Sequence, residues 1–174
     1  LLIASLRGVL ADGTEFQIVT DASWKTATGP ILANDLLDGE TYDARLAVEG
    51  WSAPEFDDRN WYPVHVPEPP DVVLEPRLGP PIRKISELPG TLVSNTAGRI
   101  FDFGQNFVGR VRLRIRSVPG VTITIRHGEA LKSDGSLYVE NLNGARASDL
   151  YTCGSEAWET WEPKFTFHGF RYAE

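Results

Sequence analysis

Residues 111–116 read Val-Arg-Leu-Arg-Ile-Arg, and residues 121–126 read Val-Thr-Ile-Thr-Ile-Arg. This apolar–polar alternation matches the two-residue side-chain period of a β-strand and no helical period. Ser117, Val118, Pro119 and Gly120 lie between them and supply turn chemistry. The sequence therefore predicts a β-hairpin with Val111, Leu113, Ile115, Val121, Ile123 and Ile125 in one core. A second hairpin is expected from residues 6–10 and 16–19 around the turn Ala11-Asp12-Gly13-Thr14. Shorter strand-like runs occupy 23–26, 42–48, 62–66, 99–103, 150–153 and 157–161. Near the end, Phe165, Phe167, Phe170 and Tyr172 read as a half-buried strand bent at Gly169.

No window sustains an amphipathic helical period with caps. Many short strands punctuated by 16 glycines and 12 prolines imply an all-β fold of two β-sandwich domains. The proline-rich stretch from Val66 through Pro67, Pro69, Pro70 and Pro76 to Pro80 and Pro81 is stiff and poor in ladder donors. It serves as a connector, dividing the chain into 1–82 and 83–174. Both ends fall abruptly inside strand-like patterns, so the chain is expected to be a piece of a larger protein with its first domain truncated.

At 174 residues the chain can bury a real core. A net charge of −7 argues against nucleic-acid and anionic-membrane partners, since phosphate neutralisation needs excess Lys and Arg. No apolar run approaches the ~18 residues of a membrane span. The opening Leu1-Leu2-Ile3-Ala4 lacks the basic flank and length of a signal peptide, which leaves the compartment, cytoplasmic or secreted, open. Cys153 is the single cysteine, so an intrachain disulfide and a Cys-based zinc site are excluded.

Residues 34–43 place Asn34, Asp35, Asp38, Glu40 and Asp43 within ten positions around Gly39. Such oxygen density can bind calcium, or it can be a solvated turn closed by Asx bonds, and the residues alone favour the turn. Gly104 and Gly109 have the spacing of a phosphate loop. Arg110 and Val111 follow where Lys and Ser or Thr are required, and a strand follows where a helix is required, so that reading fails. His127 and Glu129 continue the inward face of Ile123 and Ile125 and are expected to form a satisfied polar pair. Arg110, Arg112, Arg114 and Arg116 form an outward row, either solvated or facing an acidic neighbour. No Gly-x-Ser-x-Gly, His-Glu-x-x-His or nucleophilic cysteine motif occurs.

Several motifs occur together and in order. Gly29-Pro30-Ile31, Asn34-Asp35, Asp38-Gly39-Glu40-x-Tyr42-Asp43-Ala44-Arg45, Trp51 and Phe56-Asp57-Asp58-x-x-Trp61 resemble the N-terminal domain of bacterial α-L-rhamnosidases (glycoside hydrolase family 78). Phe101-Asp102-Phe103-Gly104-Gln105-Asn106-x-x-Gly109, Arg126-His127-x-Glu129, Asp134-Gly135-x-Leu137-Tyr138, Asn141-Leu142 and the closing Phe165-to-Tyr172 run are similar to the concanavalin-like domain that follows it. The chain departs from the family at Leu37, where an aromatic is frequent, and at Gly128 and Asn143, where Ala and Arg are usual.

The resemblance implies a jelly-roll sandwich followed by a concanavalin-like sandwich. It places both catalytic carboxylates of these inverting exo-glycosidases in an (α/α)6 barrel downstream, so no acid of this chain inherits a catalytic role. Related modules in some members bind rhamnose beside a calcium ion. Carried over, Asn34, Asp35 and Glu40 would take sugar hydroxyls, and Asp35, Asp38 and Glu40 the Ca2+, with Trp51 as an apolar platform. The implied partners are rhamnose-containing glycans or glycosides and the barrel of the parent chain. The leading reading is a non-catalytic two-sandwich segment that supports and feeds the catalytic barrel; the rivals are a stand-alone carbohydrate-binding module and a purely structural scaffold.

Overall fold

The computed structural model describes residues 2–68, 73, 75, 78–94 and 98–174. Its strands in chain order begin with β1 (Ser5–Val9), β2 (Glu15–Val19), β3 (Lys25–Thr26), β4 (Ile31–Asp35) and β5 (Gly39–Asp43). They continue with β6 (Tyr62–Pro63), β7 (Thr91–Ser94), β8 (Ile100–Gly109), β9 (Leu113–Arg116) and β10 (Thr122–Gly128). The last are β11 (Ala130–Leu131), β12 (Leu137–Tyr138), β13 (Ser148–Thr152), β14 (Trp158–Trp161) and β15 (His168–Ala173). The only helical pieces among the described residues are two 3-10 turns, Ala44–Leu46 and Glu140–Leu142. The fold is all-β, as the alternation requires.

The chain divides into two compact units that interleave in sequence. The first is Leu1–Thr28 with Gly50–Ile82, and the second is Gly29–Glu49 with Arg83–Glu174. The second segment of the first unit ends at Ile82, and residues 29–49 belong with the second unit. Of the expected proline-rich connector, Pro69, Pro70 and Pro76 lie outside the described residues.

The first unit holds two ribbons. β1 and β2 form the expected hairpin, with Gly13 at φ 86° in its turn and Gly8 opposite Phe16. β3 pairs with β6, and Lys25 reaches Asp58 at 2.8 Å. Trp61 is half-buried and meets Phe56 edge-on at 5.6 Å.

The second unit is built on a seven-stranded sheet in the order β4-β5-β13-β10-β15-β8-β7. β5 runs parallel to β13, Thr41 to Asp43 lying opposite Leu150 to Thr152, and the remaining neighbours are antiparallel. A separate ribbon of β9 and β14 covers one face. Ile125, Tyr151, Cys153, Trp161, Phe170 and Ala173 form the buried centre, with Leu113, Ile115, Ile123 and Val111 packed against it.

Three strand expectations need correction. Residues 111–116 and 121–126 are not a hairpin: β9 pairs with β14, whereas β10 pairs with β13 and β15. Alternation specifies which face is buried, and both faces do enter one core, but it says nothing about which strand lies alongside. The turn at Gly120 (φ 87°) carries the chain from one layer to the other. Val121, at that crossing, is 37% exposed and lies outside the core, contrary to expectation. The aromatic run departs from expectation before Gly169: Phe165 is 65% exposed and Phe167 41%, with Thr166 and His168 pointing inward, while Phe170 is buried as expected. The irregularity in β15 falls between Phe170 and Tyr172, not at Gly169. The strand expected over 42–48 stops at Asp43, whose Oδ1 accepts the Arg45 amide at 3.1 Å and starts a 3-10 turn.

Ile125 is fully surrounded, so Ile125→Ala should cost about 2–5 kcal/mol in denaturant unfolding, with Val121→Ala costing far less. The interleaving yields a second expectation. Residues 83–174 expressed alone lose β4 and β5, baring the β13 edge. That fragment should aggregate or melt without cooperativity, whereas the full chain gives a monomeric, cooperative transition by size exclusion and calorimetry.

Candidate functional site

The acidic stretch folds as the β4–β5 hairpin, with Asn34 opposite Glu40 and Asp35 opposite Gly39. Gly39 is required there. Its φ is 110°, and a Cβ would sit 2.1 Å from the Ser148 carbonyl oxygen. Asp35 Oδ1 accepts the amides of Leu37 (2.7 Å) and Asp38 (3.0 Å), closing an Asx turn. Those bonds hold the Asp35 carboxyl below its ordinary range. Asp38 Oδ1 accepts the Arg146 amide at 3.1 Å. The hairpin tip is thus closed by its own carboxylates.

Glu40 points inward and is 0% exposed. Its Oε2 accepts from Asn34 Nδ2 at 3.0 Å, from the Lys164 amide at 3.1 Å and from the Phe165 amide at 3.2 Å. Thr166 Oγ1 donates to the Asp35 carbonyl at 3.0 Å beside it. These bonds fix the phase of the following strand, which is why Thr166 and His168 turn inward and Phe165 and Phe167 outward. The Glu40 amide donates in turn to Asp149 Oδ1 at 2.9 Å.

Asp149 leads to a second buried polar group. His168 Nε2 donates to Asp149 Oδ1 at 3.3 Å, and His127 Nε2 lies 3.7 Å from Asp149 Oδ2. The three side chains come from β10, β13 and β15, which are adjacent in the sheet, and all are buried. The imidazoles stack at 4.2 Å and 24°, and Phe170 meets His127 edge-on at 4.7 Å. His127 Nδ1 donates to the Ala147 carbonyl at 2.9 Å. Burial first, and then the neighbouring His168, push His127 down to about 4, so the ring is neutral near pH 7. Its second nitrogen then carries a lone pair that faces a carboxylate oxygen. His127 Nε2, Asp149 Oδ2 and Glu40 Oε1 are buried with no hydrogen-bond partner.

The hairpin brings Asn34, Asp35, Asp38 and Glu40 together. Trp51 belongs to the other unit, where it is 61% exposed. The expected His127–Glu129 couple does not form. Glu129 is exposed and accepts from Asn106 Nδ2 (2.9 Å) and Asn141 Nδ2 (3.1 Å). Strand alternation turned His127 inward, but its partners lie 22 and 41 positions away in sequence, beyond the reach of local periodicity.

The arginine row is engaged within its own unit. Arg110 and Arg112 share Glu162 at 3.2 Å each, and Arg112 also meets Glu87 at 3.0 Å. Arg114 lies 4.8 Å over the Trp158 ring, and Arg116 Nε donates to the Glu156 carbonyl at 3.1 Å. Local acids and an indole therefore oppose the row's self-repulsion. The interior bond most open to test is the one at Glu40. Glu40→Ala strands two backbone amides and an Asn amide, each at about 1–3 kcal/mol. Denaturant melts should show a loss larger than that of Asp35→Ala at the exposed tip.

Comparison with known proteins agrees with this architecture. Residues 1–86 match the family described as the alpha-L-rhamnosidase N-terminal domain. Residues 94–174 match the bacterial alpha-L-rhamnosidase concanavalin-like domain. An alpha-L-rhamnosidase of Streptomyces avermitilis is 45% identical over 99% of the chain, which spans 17% of that protein. One from Formosa agariphila is 38% identical over 99% of the chain and 19% of its own length. The crystal structure of the Streptomyces avermitilis enzyme complexed with L-rhamnose superposes with a TM-score of 0.91 at 44% identity, covering 98% of this chain and 17% of that one. The structure of the alpha-L-rhamnosidase from Dictyoglumus thermophilum gives 0.90 at 39% identity, covering 98% and 20%. The chain thus spans about a fifth of its relatives' length, and through both of its domains it belongs to the α-L-rhamnosidase family.

Proposed function

We propose that this chain is a non-catalytic segment of an α-L-rhamnosidase, and that it supports the (α/α)6 catalytic barrel of the parent enzyme. The observation that carries this reading is the near end-to-end match to relatives of which the chain makes up a fifth or less. The internal chemistry supports it. Buried Glu40 and Asp43 hold backbone amides and the Arg45 guanidinium, which leaves them committed to structure. Glycoside hydrolysis needs two carboxyls flanking a sugar, one free to donate a proton and one to activate water. Acids tied into a fold in this way suit a scaffold.

The substrates of the parent would be rhamnose-containing glycans or glycosides, in keeping with the L-rhamnose complex of the Streptomyces avermitilis enzyme. A stand-alone carbohydrate-binding module is the rival. In that reading Asn34, Asp35, Glu40 and Trp51 take the sugar, and Asp35, Asp38 and Glu40 hold Ca2+. Glu40's burial and the Asx role of Asp35 weigh towards the scaffold.

The purified chain should show no turnover of a nitrophenyl rhamnoside above the buffer rate. Measurable turnover, lost when an Asp or Glu of this chain is changed, overturns the non-catalytic reading. Titration of the same sample with L-rhamnose and calcium separates scaffold from module. Shifted amide signals at the 34–43 hairpin would favour the module.

A further inference from the structure

The buried group at His127, Asp149 and His168 is more polar than a sandwich core needs. All three side chains are at most 3% exposed. Two of their atoms, His127 Nε2 and Asp149 Oδ2, face one another at 3.7 Å with no hydrogen-bond partner. Two acceptors opposed in a dry interior repel, and burying each without a partner is costly. Something positive between them removes that cost, and it is either a proton or a metal ion.

We propose that His127, Asp149 and His168 form a structural metal site for a divalent transition ion of the zinc type. The ligand atoms all lie within 4.8 Å of one another. Zinc ligands sit about 2 Å from the ion, which spaces them about 3.3 Å apart in a tetrahedron. The His168–Asp149 separation of 3.3 Å meets that spacing, and the His127–Asp149 separation of 3.7 Å is slightly wide. Neutral imidazoles with one carboxylate favour zinc over calcium or magnesium, which take oxygen ligands. The outer contacts agree with ligation. His127 donates its other ring nitrogen to the Ala147 carbonyl, and Asp149 accepts the Glu40 amide, the kind of bonds that fix a ligand's tautomer and orientation. Ligation requires the stacked rings to splay so that their lone pairs converge, and it requires the His168 proton to sit on Nδ1, the metal replacing the Nε2 bond to Asp149 Oδ1. Asp149 can fill a fourth position by binding through both oxygens. The ion would cross-link the three central strands and would be taken up as the sheet forms.

The test uses the untagged full chain, unfolded and refolded in metal-free buffer with added zinc or cobalt, then desalted. One equivalent of zinc should remain by elemental analysis. The cobalt form should show the visible absorption of a low-coordinate nitrogen–oxygen site. Zinc should raise the melting temperature, and dipicolinate should reverse the rise. His168→Gln should lower zinc affinity at least ten-fold, while His65→Ala, an exposed histidine of the other unit, leaves it unchanged. If the refolded chain keeps no metal and melts alike with and without zinc, the proposal is overturned and a proton fills the gap. Retention of metal by His168→Gln at full affinity overturns it equally, because the ion then sits elsewhere. The cobalt spectrum of the unmutated chain decides the matter even if a variant fails to fold.

Discussion

One buried carboxylate organises the second unit. Glu40 Oε2 gathers two amides from Lys164 and Phe165 and one from the Asn34 side chain, while its own amide is held by Asp149. A carboxylate accepting several N–H bonds is among the stronger polar interactions available inside a protein. Here it joins three places far apart in sequence: the edge hairpin, the approach to the last strand, and the centre of the sheet. The phase of β15 follows from it. With Lys164 and Phe165 bound through their backbones, Thr166, His168 and Phe170 must alternate inward. The aromatic core and the histidine pair both depend on that phase.

Much of this was legible from the residues, and the failures have physical causes. Alternation in residues 111–116 and 121–126 correctly located strands and their inward faces, with Leu113, Ile115, Ile123 and Ile125 in one core. It assigned the wrong partners because facing layers and adjacent strands bury side chains equally well. The Phe165-to-Tyr172 run misled for another reason. Aromatic content suggests burial, but Phe165 and Phe167 were outvoted by backbone bonds made to Glu40, which no local pattern encodes. Asp35 was legible as an Asx turn, since that bond spans only two or three residues. Asp149 gave no signal, because its partners are His127 and His168 from other strands and the amide of Glu40.

The outward arginines show how a charged row is tolerated on a sandwich face. Arg110 and Arg112 converge on Glu162, and Arg112 gains Glu87 from a segment far upstream. Each pair is partly exposed and individually weak. Their combined effect is to turn a column of like charge into a mixed network, with Arg114 set apart on the Trp158 ring. The row therefore needs no acidic neighbour to be stable, and contact with a further domain would add to it without being its reason.

The boundary between family domains and the boundary between folded units differ, and the sheet explains why. Residues 1–86 match one domain family and residues 94–174 the other, yet β4 and β5, within the first match, complete the seven-stranded sheet of the second unit. Their attachment is the parallel pairing of β5 with β13, reinforced by the Glu40 amide on Asp149. Parallel strands need a long crossover, and the chain between β5 and β13 supplies one that includes residues 50–82, the second segment of the first unit. The two sequence families are therefore coupled through a shared sheet as well as a linker.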